Sequence, residues 1–130
     1  MDEKLITFII GTRPEAIKLA CIINLLKKEK RYRVRVVLTG QHQEMVHSVF
    51  DVFNIKNDIN FLALKESSNL TTSLSVILRN LNDDLQKYKP SLIVVQGDTT
   101  SALGGALASF YNHIPVAHVE AGLRTNSITE

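Results

Sequence analysis

Two cations and two carboxylates stand along this sequence so that each follows a short apolar run. Arg13 and Lys18 lie in Gly11-Thr12-Arg13-Pro14-Glu15-Ala16-Ile17-Lys18, and Asp98 in Gly97-Asp98-Thr99-Thr100-Ser101. Glu120 lies in His118-Val119-Glu120-Ala121-Gly122-Leu123-Arg124-Thr125. A turn onto a helix N-terminus presents free backbone N–H groups and the positive end of the helix dipole, which attract anions, phosphate above all. Arg13 adds a rigid fork of donors there, and Lys18 a second charge about a turn further on. Asp98 and Glu120 are carboxylates suited to moving protons. Gathered in one crevice, these groups suit an anionic sugar nucleotide whose ring proton must be moved.

Each segment also has a plain structural reading. The first could be an ordinary capped helix with a surface arginine, for it has neither the Gly-Lys-Ser/Thr ending of a Walker loop nor the GxGxxG pattern. Asp98 could cap the helix that follows it. Glu120 closes a strongly apolar strand beside Ala121-Gly122, where partial desolvation would raise its pKa and make it a useful proton carrier; alternatively, Arg124 pairs with it. His118 reads as a satisfied core group, and His47 and His113 as surface groups. His42, after Thr39-Gly40-Gln41, could line the crevice. The spacing of His, Cys, Asp and Glu predicts no metal site. Cys21 reads as inert packing within an apolar helix. The run Lys27-Lys28-Glu29-Lys30-Arg31, with Arg33 and Arg35, reads as a solvated helix end and strand start.

The elements that would position these groups alternate. Strands are expected at Leu5–Ile10, Tyr32–Leu38, Ile59–Leu62, Leu92–Val95 and Pro115–Val119, the third weaker than the rest. Helices are expected at 14–29, 44–53, 71–88 and 100–111, the first with Leu19, Ile22, Ile23 and Leu26 facing the core. Thr12 and Glu15 fit a capping box, and Pro14 is tolerated in a first turn. This alternation predicts an α/β fold: a doubly wound parallel sheet, Rossmann-like, with strand order 3-2-1-4-5. Ligands bind such sheets at the carboxyl ends beside the point where the order reverses. All three segments leave strands at that edge.

At 130 residues and 45% hydrophobic composition, the chain can form one compact domain with a real core. A net charge of only +2, spread out apart from the run near residue 30, predicts no nucleic-acid surface. The single cysteine excludes an internal disulfide and fits a reducing cytoplasm. Met1-Asp2-Glu3-Lys4 mixes both signs of charge and lacks the sections of a signal peptide. No apolar stretch approaches the roughly 20 residues that span a membrane. A soluble cytoplasmic domain is therefore expected. The closing stretch from Leu123 to Glu130 reads as a loop with no element after it, as in one domain of a longer protein.

The three motifs, in this order and spacing, together with Ile114-Pro115-Val116-Ala117 before the last, resemble the non-hydrolysing UDP-N-acetylglucosamine 2-epimerases. The likeness covers nearly the whole chain, as that family's N-terminal domain. It implies a GT-B-type enzyme of two Rossmann-like domains, with residues 1–130 as the N-terminal half and the C-terminal, UDP-binding domain outside this chain. It implies interconversion of UDP-GlcNAc and UDP-ManNAc in the cleft between them, with no cofactor. UDP would be eliminated to give 2-acetamidoglucal and re-added with the opposite configuration at C2. By position, Arg13 and Lys18 resemble substrate-binding residues near the leaving phosphate, and Asp98 and Glu120 the proton-transfer carboxylates. Gln41 and His42 match a segment that, in some bacterial members, helps form a second, activating UDP-GlcNAc site.

Some positions depart from the pattern. Gln43-Glu44 differs from the regulated members, Cys21 stands where a proline is usual, and Glu66-Ser67-Ser68-Asn69-Leu70 replaces a Gly-Gln-containing loop. After Thr125 the likeness ends, and Glu130 falls too early for the family's further catalytic glutamate. The resemblance implies a homodimer for the complete protein, no nucleic-acid or membrane partner, and no activity for these 130 residues alone. Three readings stay open beside it: an epimerase of a related UDP-HexNAc derivative, a hydrolysing 2-epimerase, and a non-catalytic α/β module.

Overall fold

All five residues from Ile6 to Ile10 are buried, so the strand that carries them is covered on both faces. A computed structural model describes residues 3–61 and 69–120. In chain order it has β1 (Lys4–Ile10), α1 (Arg13–Lys27), β2 (Tyr32–Leu38), α2 (Gln43–Phe53), β3 (Ile59–Asn60), α3 (Leu70–Lys87), β4 (Leu92–Gln96), α4 (Thr100–Tyr111) and β5 (Val116–Val119). The strands form one sheet in the order β3-β2-β1-β4-β5, every pair parallel, as the alternation predicts. Ile10 pairs with Leu38, and Phe8 with both Val36 and Val94.

Period-two alternation assigns the sheet residues to two helical layers. Phe8, Ile10, Val36 and Leu38 pack with Leu19 and Ile23 of α1 and Phe50 of α2. Ile9, Val37, Ile93 and Val95 pack with Ile77, Leu81 and Leu85 of α3 and with Ala102 and Ala108 of α4. The doubly wound α/β architecture is thus realised, and α3 stops short of Pro90 as expected.

Four local expectations fail. The third strand is two residues long rather than four. The last strand lies at the sheet edge with Val116 and His118 exposed, so its apolar run is not a fully covered strand. Cys21 is exposed, because the buried stripe of α1 runs through Ala16, Leu19, Ala20 and Ile23 and leaves residue 21 off it.

The fourth concerns Arg35. It is not solvated: the residue is buried, on the same face of β2 as Val37. There its guanidinium makes a paired contact with both oxygens of Asp84 on α3, one of them at 2.6 Å. The Tyr88 ring lies 4.2 Å from the guanidinium carbon. Burial works to lower the Arg35 pKa, but the hydrogen-bonded Asp84 carboxylate, with Asp58 and Tyr88 behind it, outweighs burial and holds it above its ordinary value. Lys27, Lys28, Lys30, Arg31 and Arg33 are exposed, as expected for the rest of that run.

Candidate functional site

The strand order sets the carboxyl ends of β1, β4 and β5 side by side. Gly11-Thr12-Arg13 leaves β1, Gly97-Asp98-Thr99 leaves β4, and Glu120 follows β5. Gly97 turns the chain with φ +75°, a left-handed conformation that favours glycine, while its N–H donates to the Val119 carbonyl at 3.0 Å. That bond ties the turn carrying Asp98 to the last residue before Glu120. Arg13, Lys18 and Asp98 are exposed. None of the ion pairs among the described residues engages them.

Glu15 changes the picture of the first turn. Its side chain is fully buried. One oxygen, Oε2, accepts from the Gly11 N–H (3.0 Å), the Thr12 N–H (2.6 Å) and the Thr12 hydroxyl (2.7 Å). The expected capping box therefore forms. The backbone N–H groups of Gly11 and Thr12, expected to be free for phosphate, are consequently taken by a carboxylate. The exposed Arg13 and Lys18 side chains add positive charge at this helix start. The other oxygen, Oε1, accepts from the Thr99 hydroxyl at 2.7 Å, across 84 positions of sequence. Thr99 is itself the N-cap of α4, its hydroxyl accepting from the Ala102 N–H at 3.0 Å.

A second polar chain joins the loop after β2. The Thr39 and Ser101 hydroxyls lie 2.8 Å apart, and Ser101 donates to the Gln41 amide oxygen at 2.6 Å. The His42 N–H donates to the Gly11 carbonyl at 2.9 Å, while its side chain is exposed. Gly11 sits where these loops converge: a Cβ there would fall 1.9 Å from Ser101 Oγ and 2.7 Å from Thr39 Oγ1. Only glycine fits such an approach.

At the sheet edge the side chains of His118 and Glu120 are 48% and 31% exposed, with His118 Nε2 3.7 Å from Glu120 Oε2. The core placement expected of His118 is not observed, while Glu120 is partly covered. The reason is that an edge strand has a neighbour on one side only. His118 Nε2–H instead donates to the Gly97 carbonyl at 2.6 Å, bracing the Asp98 turn from the opposite side to Glu15. Beside it runs an apolar groove of about 470 Å³, lined by Val95, Gly97, Asp98, Thr99, Leu103 and His118 among others. His113 is exposed, as expected, whereas His47 is half-buried near Asn60. Among the described residues no group of three His, Cys, Asp or Glu side chains is placed to hold a metal ion. Arg124, the alternative partner of Glu120, lies outside the described residues, as do Glu66, Ser67 and Ser68.

Sequence reasoning singled out Arg13, Lys18, Asp98 and Glu120, and the fold brings the three strand-end segments that carry them to one edge. It missed the bridge from Glu15 to Thr99 and the brace from His118 to Gly97. A signal for the first was present: a capping-box glutamate uses one carboxylate oxygen, which leaves the second seeking a donor.

With this geometry in view, comparison with known proteins is specific. The family model described as UDP-N-acetylglucosamine 2-epimerase matches residues 24–130. A Yersinia pestis UDP-N-acetylglucosamine 2-epimerase is 42% identical over 120 residues, covering 92% of this chain and 32% of its own length. The crystal structure of UDP-GlcNAc 2-epimerase from Neisseria meningitidis, bound to UDP-GlcNAc, superposes with a TM-score of 0.90 at 40% identity, covering 96% of this chain and 34% of that one. That of the Methanocaldococcus jannaschii enzyme, in complex with UDP-GlcNAc and UDP, gives 0.85 at 38% identity, covering 93% and 33%. The chain spans about a third of the length of the curated relatives it matches.

Proposed function

Because this chain belongs to the UDP-N-acetylglucosamine 2-epimerase family, we propose that it forms the N-terminal wall of a cleft interconverting UDP-GlcNAc and UDP-ManNAc. A second Rossmann-like domain supplies the opposite wall and the uridine contacts. The observation that carries this reading is the convergence of the loops after β1, β4 and β5 at the carboxyl edge where the strand order reverses.

The chemistry explains why those loops must meet. The proton at C2 of the sugar is not acidic, so its removal has to be coupled to cleavage of the C1–O bond. As a carboxylate takes the C2 proton, the electron pair forms the C1–C2 double bond and UDP departs with the C1–O pair. Protonation of 2-acetamidoglucal on the other face of C2, with return of UDP to C1, inverts the centre. No net oxidation occurs, and a nicotinamide is not needed. Arg13 and Lys18 hold the departing diphosphate, where a cation matches the charge that develops. Asp98 and Glu120 move the proton. Gln41 and His42 border this region and belong to a second, activating UDP-GlcNAc site. We place the protein in the cytoplasm, the reducing compartment that its single cysteine fits; no helix among the described residues is long and apolar enough to cross a membrane.

A coupled assay on the complete protein tests the reading. UDP-GlcNAc and UDP-ManNAc should interconvert, with solvent deuterium appearing at C2, and residues 1–130 alone should show no turnover. Asp98→Asn and Glu120→Gln should each reduce turnover by about 100-fold or more. Turnover at the unmodified rate in either variant removes that residue from proton transfer. Sedimentation velocity should show a homodimer.

A further inference from the structure

We propose that Glu15 is a positioning residue that fixes the Arg13 loop against the Asp98 loop, with Thr99 as its partner. The inference rests on the functional reading above and concerns how two of its groups are held in register. A capping box needs only one carboxylate oxygen, and Oε2 performs that task with three donors from Gly11 and Thr12. Oε1 does something local structure does not require: it reaches the Thr99 hydroxyl at the head of α4. The two ends of this bridge are each one residue from a proposed site group, Thr12 beside Arg13 and Thr99 beside Asp98.

The bridge has little slack. Glu15 is fully buried, all four of its donors suit an acceptor-only carboxylate, and Gly11 touches Ser101 and Thr39 across the same gap. Thr99 cannot rotate away freely, since its hydroxyl also caps α4. Loss of the C2 proton and cleavage of the bond to phosphate happen at adjacent atoms, so a shift of about 1 Å between the loops is worth on the order of 100-fold in rate.

Thr99→Asp separates this role from capping. Aspartate is as good an N-cap as threonine, but it has no proton to give Glu15 and places a second negative charge before it. Thr99→Ser keeps both bonds. In the complete protein, Thr99→Asp should lower kcat for UDP-GlcNAc epimerisation by about 100-fold with a much smaller change in KM, and Thr99→Ser should restore most of it. In the 130-residue chain, the Gly11 and Thr12 amide resonances should move in Thr99→Asp and stay near their positions in Thr99→Ser. In the unsubstituted chain, a scalar coupling across the hydrogen bond should link the Thr12 amide nitrogen to the Glu15 carboxyl carbon, and the Thr99 hydroxyl proton should exchange slowly. Equal kcat losses in both variants, unmoved Gly11 and Thr12 amides in Thr99→Asp, or a rapidly exchanging Thr99 hydroxyl would each overturn the bridge. A complete protein unable to interconvert the two sugars would instead end the functional reading, while the amide and hydroxyl measurements would still decide the bridge.

Discussion

Among the described residues two carboxylates are deeply buried, and they are satisfied in opposite ways. Asp84 meets a full positive charge, the Arg35 guanidinium, between the sheet and α3. Among the described residues Glu15 meets no cation; four neutral donors from two loops surround it at the carboxyl edge. The ion pair joins β2 to α3, both regular elements, with Arg35 level with Thr7 of β1 rather than at the strand ends that lead to Arg13, Asp98 and Glu120. The neutral cluster joins loops, and loops are what a ligand site is built from. Buried charge by itself therefore does not mark function here. What distinguishes the two is whether the satisfied group ties regular structure or tips of strands.

The comparison breaks if Asp84 affects the site or if Glu15 affects only the fold. Asp84→Ala should show the largest loss of stability, about 3–5 kcal/mol in urea unfolding, because it strands a buried guanidinium. The double change Arg35→Met, Asp84→Leu should recover most of that loss, since both charges leave together. A double variant no more stable than Asp84→Ala would show that the pair contributes more than charge compensation. Gly11→Ala comes next, at roughly 1–3 kcal/mol for the forced contact with Ser101, and it should also reduce epimerase turnover where Asp84→Ala leaves the folded fraction active. Thr39→Val should cost about 1 kcal/mol by removing one hydroxyl from the chain through Ser101 to Gln41. Lys18→Ala should change stability least, within about 0.5 kcal/mol as an exposed substitution. It should nevertheless weaken UDP affinity by about tenfold, in a titration whose difference shrinks with added salt. An unchanged UDP affinity would take Lys18 out of the diphosphate site.

Much of the architecture could be read from patterns alone. The continuous apolar runs through Phe8, Val36 and Val94 announce strands covered on both faces, and alternation with amphipathic helices leaves one plausible winding. Once the winding is known, Arg13, Asp98 and Glu120 must stand at one edge, because each follows a parallel strand directly. The errors share a cause. Arg35 looked like the tail of a charged run because sequence shows charge but not the α3 residue waiting opposite it. His118 looked like core because the surrounding residues are apolar, yet a strand at the sheet border covers one face poorly.

The amino-acid order determined what local physics can determine: which segments extend, which coil, where Thr12 caps a helix and where Gly97 turns the chain. Those outcomes depend on neighbours a few residues away. Only the tertiary structure decided that Glu15 would meet Thr99, that Arg35 would meet Asp84, and that Gly11 would have no room for a methyl group. Each of those contacts closes a gap of tens of residues, and hydrogen bonds of that kind are short-ranged and directional, so no pattern along the chain records them until the sheet has brought the partners within about 3 Å.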